Sequence, residues 1–283
     1  MKFFYIKKSN FIYMTSQFIK KYSLTFFFVL SYLIMIVTVI LRLFCGLNFM
    51  IYWFFSAWNP TIVALIISWL IGGWTEVKIL LKGFLKWKVG YKWYLAAFLL
   101  MLVPLIFSGI YLLLGGSSPG PVTGLTFPLI LFYLLTTLLS GPLSEEAGWR
   151  GFVLPRFESK FSALNSSLIL GLIWGCWHIP LYFVETRIPF YIFIFLNLVI
   201  SILITWGYNN TKGSLIIAVL FHFCFNFNGA FITGYLGLLP QMIFYIGGGI
   251  MIGIYLIIVV IYFGPKKLSR KPDSEMPFKI TSN

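Results

Sequence analysis

Long apolar runs divide this chain of 283 residues and limit what it can fold into. Most are about 20 residues or longer, the length that an α-helix needs to cross the hydrocarbon core of a bilayer. Inside that core each backbone N–H and C=O must be bonded within the protein, and helices meet this demand. The runs cover residues 23–44, 51–74, 93–114, 126–154, 163–184, 189–208, 213–236 and 239–263. We therefore predict an all-α, polytopic membrane protein with about eight transmembrane helices.

Charge placement supports this topology and excludes a nucleic-acid partner. The chain is 60% hydrophobic and only 10% charged, whereas soluble domains are about 25% charged. With a cytoplasmic N-terminus, all of the 21 lysines and arginines except Arg42 and Arg187 fall on the cytoplasmic side. Cytoplasmic loops of membrane proteins are enriched in these residues. The net charge of +14 thus predicts a multi-pass protein of the cell membrane with both termini cytoplasmic and the lipid bilayer as its partner.

The runs also predict the domain organisation. Residues 1–22 form a cytoplasmic segment, 23–263 form one eight-span membrane domain with its motifs in 140–230, and 264–283 form a basic cytoplasmic tail that we expect to be disordered. Residues 75–93 alternate lysines with large apolar side chains, which favours a helix in the cytoplasmic interface. A glycine and a proline at 141–142 interrupt the fourth span.

Two acids, one arginine and two histidines lie inside three of the apolar runs, where each is costly unless it is paired or functional. Glu145 and Glu146 are adjacent, and Arg150 follows at the i+4 position from Glu146, so these two side chains share a helix face and can form an ion pair. The two histidines of the chain are His178 and His222. Trp174 and His178 are four residues apart, so they share one helix face. The same holds for His222 and Asn226.

The positions of these residues along their helices predict one common depth. Glu145 lies ~15 Å from the inner end of its helix at 1.5 Å per residue, His178 ~20 Å, and His222 and Asn226 ~15–21 Å. The hydrocarbon core is about 30 Å thick, so these groups meet near its middle. We predict an intramembrane active site there.

The residue types in this set suit hydrolysis. A glutamate in an apolar pocket can serve as a general base for water near neutral pH, and an adjacent arginine keeps the second glutamate ionised. Histidine and asparagine can position water, donate to an oxyanion or, for histidine, bind a metal. Glu145, His178 and His222 are also a plausible zinc set. A metal-free glutamate mechanism and a zinc mechanism remain equally open at this point.

Three motifs together resemble the CPBP family of intramembrane proteases, which includes type II CAAX prenyl endopeptidases and bacterial Abi and bacteriocin-processing or self-immunity proteins. The motifs span Glu145 to Arg150, Trp174 to His178 and His222 to Asn226. The second begins with tryptophan where phenylalanine is commoner in the family. Residues 148–152 and 177–180 also resemble the family.

This resemblance implies an endopeptidase whose active site lies in the membrane and opens toward the cytosol. By residue match, Glu145 activates the attacking water, Glu146 with Arg150 organises the site, and His178 assists. His222 and Asn226 stabilise the oxyanion. A peptide or protein substrate is expected to enter from the membrane or the cytosolic side.

Three alternatives stay open. The charged residues can form a purely structural network, or the fold can serve a non-proteolytic scaffold or bacteriocin-immunity protein that binds a partner. An ion- or proton-coupled transporter can also use carboxylates and histidines as a relay.

Overall fold

The computed structural model describes residues 14–121, 124, 126–185 and 188–277. These residues form a bundle of helices and contain no β-strand, which confirms the predicted all-α membrane class. The helices are α1 (Ser23–Phe44), α2 (Phe49–Leu81), α3 (Tyr91–Leu113), α4 (Phe127–Leu139), α5 (Pro142–Glu146), α6 (Leu154–Glu158), α7 (Ala163–Trp177), α8 (Phe190–Asn210), α9 (Leu215–Gly229), α10 (Gln241–Ile243) and α11 (Gly249–Phe263).

Seven helical stretches among the described residues are long and apolar enough to cross a membrane. One of them, Phe127–Glu158, joins α4, α5, a π-helical segment Ala147–Val153 and α6. The predicted seventh span differs, because α9 has 15 α-helical residues and continues as the π-helix Ala230–Tyr235. A multi-pass protein is therefore confirmed, with α9 shorter than a full α-helical span.

Glycine and proline set the breaks in these helices. Gly72 and Gly73 take non-helical backbone angles inside α2 and separate the spanning part from the helical residues that lead into the 3₁₀ turn Lys82–Leu85. Pro142 occupies the first turn of α5, where its missing N–H costs nothing. The predicted interruption at 141–142 is thus confirmed.

The two ends of the bundle differ in charge. We call the end formed by 82–92, 155–162, 211–214 and 264–277 the basic end. Hydrogen bonds connect its segments: Lys86 Nζ donates to the Lys212 carbonyl at 2.6 Å, and the Ala163 N–H donates to the Lys266 carbonyl at 2.9 Å. We call the other end, formed by 45–48, 114–121, 184–185, 188–189 and 236–240, the opposite end. There the Ser118 hydroxyl donates to the Gly237 carbonyl at 2.6 Å.

The expectation of a disordered tail is wrong for residues 264–277. Leu268 and Ser269 are buried, and the Asn210 amide donates to the Leu268 carbonyl at 2.8 Å. Lys267 Nζ donates to Asp273 at 2.8 Å, which lowers the pKa of that carboxyl. Sequence composition misses this segment because its anchors are buried polar side chains at the ends of other helices. The remaining tail residues, 278–283, lie outside the described part of the chain.

Candidate active site

The turn before α5 positions Glu145 and Glu146 inside the helix bundle. The Glu145 N–H donates to the Gly141 carbonyl at 2.9 Å, which starts the new helix after the break. The following segment is π-helical, a geometry that is frequent at functional sites. Gly148 lets this segment approach α2, since a Cβ there would lie 2.6 Å from the backbone of Pro60. Glu145 and Glu146 are consequently 3% and 0% exposed.

Glu146 is the centre of a buried ion-pair network. Arg150 Nη1 donates to Glu146 Oε1 at 2.9 Å, so the predicted i, i+4 ion pair forms. His222 Nδ1 lies 2.7 Å from the same oxygen and joins α9 to α5. The Arg150 guanidinium also sits 4.5 Å from the centre of the Trp174 ring. Burying these charges is tolerable because they are paired with one another.

Glu145 is held by two tryptophans instead of a cation. Trp174 Nε1 donates to Glu145 Oε2 at 2.6 Å, and Trp149 Nε1 donates to the same oxygen at 3.3 Å. Sequence reasoning only paired Trp174 with His178 by helical spacing and gave Trp149 no role. Two signals point to these bonds: a buried indole N–H needs an acceptor, and Trp149 stands at the i+4 position from Glu145. The two indoles therefore hold Oε2 of Glu145, and Oε1 of the same carboxylate accepts neither of these hydrogen bonds.

Three groups converge on the space beside Gly141. A Cβ built on this glycine would lie 3.3 Å from Asn226 Nδ2, 3.5 Å from Glu145 Oε1 and 3.5 Å from His222 Nε2. Gly141 has no side chain, so this space stays free. Sequence reasoning named the three polar residues but treated Gly141 only as a helix interruption. The spatial juxtaposition arises from α5 packing against α9 and is not visible in the spacing along the chain.

His178 lies near this centre but in a different setting. It follows the last residue of α7, and its Nδ1 is 2.8 Å from the Trp174 carbonyl. Its ring packs against Trp177 at 4.8 Å and Phe193 at 5.0 Å between ring centres. The centre of the Trp174 ring lies 6.0 Å from that of His178 and 4.9 Å from that of His222, so this indole contacts both histidines.

A metal site does not fit this arrangement. Within the described ranges, no three His, Cys, Asp or Glu side chains come together as a metal-binding cluster. The possible zinc set of Glu145, His178 and His222 therefore does not form such a cluster.

A cavity of about 610 Å³ adjoins the converging groups. Glu145, His178, His222 and Asn226 line it, whereas Glu146 and Arg150 do not. This divides the six candidate residues into four that can contact a ligand and two that lie behind the wall. The volume is in the range of sites for small ligands, about 300–1,000 Å³.

A buried carboxylate that faces a cavity inside a membrane helix bundle, beside a histidine and an asparagine, is the kind of site used for hydrolysis. Comparison with known proteins agrees. Residues 126–228 match the family model described as type II CAAX prenyl endopeptidase Rce1-like. This range contains all six candidate residues.

A curated relative shows the same likeness. CAAX prenyl protease 2 of Methanococcus maripaludis is 33% identical over 115 residues, which cover 37% of this chain and 42% of that protein. The two comparisons confirm the resemblance to the CPBP family over the part of the chain that holds the motifs. The match spans less than half of the relative's length.

Proposed function

We propose that this protein is an intramembrane endopeptidase that hydrolyses a peptide bond of a membrane-associated peptide or protein with water activated by Glu145. The observation that carries this proposal is the convergence of Glu145 Oε1, His222 Nε2 and Asn226 Nδ2 on the free space beside Gly141. The likeness of residues 126–228 to prenyl endopeptidases supports the same chemistry.

Each group has a defined part in the reaction. Glu145 Oε1 takes a proton from the water, whose oxygen attacks the carbonyl carbon of the scissile bond. The carbonyl becomes an oxyanion, which Asn226 Nδ2 stabilises by donating a hydrogen bond. The protonated Glu145 then gives its proton to the leaving nitrogen as the C–N bond breaks. The products are a carboxylate and an amine.

Glu146 and Arg150 position His222 from behind the cavity wall. Arg150 Nη1 donates to Glu146 Oε1, and the same oxygen accepts a hydrogen bond from His222 Nδ1–H. This turns Nε2 toward the space beside Gly141. In the neutral ring Nε2 accepts a hydrogen bond from the water, and in the imidazolium form it donates to the oxyanion. His178 forms part of the cavity wall and orients the substrate.

The function is tested by comparing the peptides released from membranes that carry equal amounts of wild-type or His222→Gln protein. Glutamine can still donate to Glu146 but has no imidazole Nε2 to offer the cavity. We expect mass spectrometry to find peptides released by the wild type that are reduced about 100-fold or more in the variant, the effect of losing one oxyanion donor. Equal release would favour the scaffold or immunity role, in which hydrolysis plays no part.

Gly141→Ala is expected to remove hydrolysis without unfolding the protein. The new methyl group would stand 3.3–3.5 Å from three polar atoms, close to ordinary contact distance, and would occupy the space of the reacting groups. Displacing reacting atoms by about 1 Å can cost about 100-fold in rate, and we expect at least this loss in peptide release. Gly253→Ala is the matched control, because a Cβ there meets nothing within 4 Å. Full activity of Gly141→Ala would contradict the assigned reaction space.

A further inference from the structure

Two buried asparagines line the cavity in addition to the reacting groups. Asn197 lies on α8 and Asn228 on α9, and they are 6% and 2% exposed. The reaction described above uses neither of them. Within the part of the chain that the structure describes, Asn197 Nδ2 and Asn228 Oδ1 have no hydrogen-bond partner. A buried donor or acceptor without a partner destabilises a fold, so both atoms call for a physical reason.

The nitrogen of Asn228 has a structural role. Pro104 has no N–H, so the Leu100 carbonyl one turn earlier in α3 lacks its helical donor. Asn228 Nδ2 donates to that carbonyl at 2.7 Å. This bond uses the donor side of the amide and orients the side chain, while Oδ1 keeps its capacity to accept. Asn228 therefore supplies an oriented acceptor in the cavity wall.

The same contact recurs in α2, away from the cavity. Pro60 leaves the Ser56 carbonyl without its helical donor, and Asn59 Nδ2 donates to it at 3.3 Å. Asn59 Oδ1 also lacks a partner among the described residues, but Asn59 does not line the cavity. The two asparagines thus share one structural role, and Asn228 differs by its place in the cavity wall.

Asn197 differs from both, because its unpartnered atom is the donor. The amide fits against α7 at a glycine: a Cβ on Gly175 would lie 3.2 Å from Asn197 Nδ2. A leucine has nearly the same shape as asparagine and would remove the unpaired N–H groups from this position. The asparagine therefore lowers the stability of the protein without substrate, which is typical of a residue kept for function.

The main chain of a peptide matches these two groups. Each residue of an extended peptide, proline excepted, has one C=O acceptor and one N–H donor. Apolar parts of the wall, such as Leu196, Phe244 and Ile252, cannot replace the water that these groups lose on entering the cavity. Asn197 Nδ2 can donate to a C=O, and Asn228 Oδ1 can accept from an N–H.

We propose that Asn197 and Asn228 bind the main chain of the substrate beside the scissile bond. Asn197 Nδ2 donates to a peptide C=O, and Asn228 Oδ1 accepts from a peptide N–H. This role rests on the proposed peptidase function and narrows its substrate class. The substrate is a peptide segment in extended conformation, recognised at these two positions by its main chain and not by particular side chains.

Asn197→Leu tests the donor, with a synthetic peptide that copies the cleaved segment identified from wild-type membranes. We expect KM to rise about 10-fold while kcat stays within about twofold, the pattern for a lost contact that binds ground and transition states equally. The midpoint of thermal unfolding in detergent is expected to stay the same or rise, because an unpaired buried donor is removed. An unchanged KM, or a raised KM with a lowered midpoint, overturns the role of Asn197.

Asn228→Leu and Asn59→Leu form a matched pair for the acceptor. Each removes an amide that donates to a carbonyl freed by proline, so we expect both to lower the unfolding midpoint. Only Asn228→Leu is expected to raise KM, again about 10-fold. An equal rise in KM for Asn59→Leu overturns the role of Asn228.

Peptides in which one amide is replaced by an ester identify the bonded N–H group. With the wild type, one ester position is expected to raise KM about 10-fold, and the same ester has no further effect with Asn228→Leu. No ester effect with the wild type, or an equal effect with both proteins, overturns the acceptor role. The proposed peptidase function fails on a different result, namely the absence of any peptide whose release depends on His222.

Discussion

Replacing Glu145 with glutamine is expected to reduce peptide release by at least about 100-fold, because loss of a general base typically costs about 100- to 10,000-fold. The amide oxygen can still accept the hydrogen bonds from Trp174 and Trp149, so the local structure is expected to persist. The measurement is the initial rate of release of any peptide that the wild type produces, at equal protein in the membrane.

Glu158→Gln is the matched control for this variant. Glu158 is also a buried carboxylate, 4% exposed, but it accepts a hydrogen bond from Asn209 near the basic end and does not line the cavity. Its variant is expected to release peptides at the wild-type rate for the amount of folded protein. If Glu145→Gln retained the wild-type rate, a different residue would have to activate the water.

Arg150→Met is expected to destabilise the protein more than any change in the cavity wall. Methionine leaves the Glu146 carboxylate buried without its cation, and breaking a buried pair in this way costs about 3–5 kcal/mol. That is a large part of a typical stability of about 5–15 kcal/mol. We expect a lower midpoint of thermal unfolding in detergent and several-fold less protein in the membrane.

A second substitution separates the charge effect from the loss of packing. Glu146→Gln combined with Arg150→Met removes both charges and is expected to recover part of the stability, because no unpaired ion remains. Arg156→Met is the control, since Arg156 lies near the basic end and is partly exposed. An unchanged unfolding temperature for Arg150→Met would show that the pair does not support the fold.

Helix periodicity and charge alone predict much of this molecule. The apolar runs predict the helices because a bilayer accepts few other backbone structures. The i, i+4 spacing predicts the Glu146–Arg150 pair, since it depends only on local helix geometry. The cost of ionisable groups in apolar surroundings marks Glu145, His178 and His222 as a set.

The distribution of roles within that set is decided by packing between helices. The two glutamates are neighbours in sequence, yet Glu145 contacts two indoles beside the cavity while Glu146 contacts Arg150 and His222 behind its wall. Gly141 lies beside the three polar groups only because α5 packs against α9. The ordered tail is likewise held by side chains distant in sequence.

The sequence by itself determined the membrane helices, the basic end and the ionisable residues within the apolar segments, because each follows from local hydropathy, charge or helical phase. Only the tertiary structure decided that Glu145 Oε1, His222 Nε2 and Asn226 Nδ2 share one space and that Glu146 and Arg150 do not line the cavity. The physical reason is that both features depend on how closely separate helices approach one another, as the contact of Gly148 with the backbone of Pro60 shows.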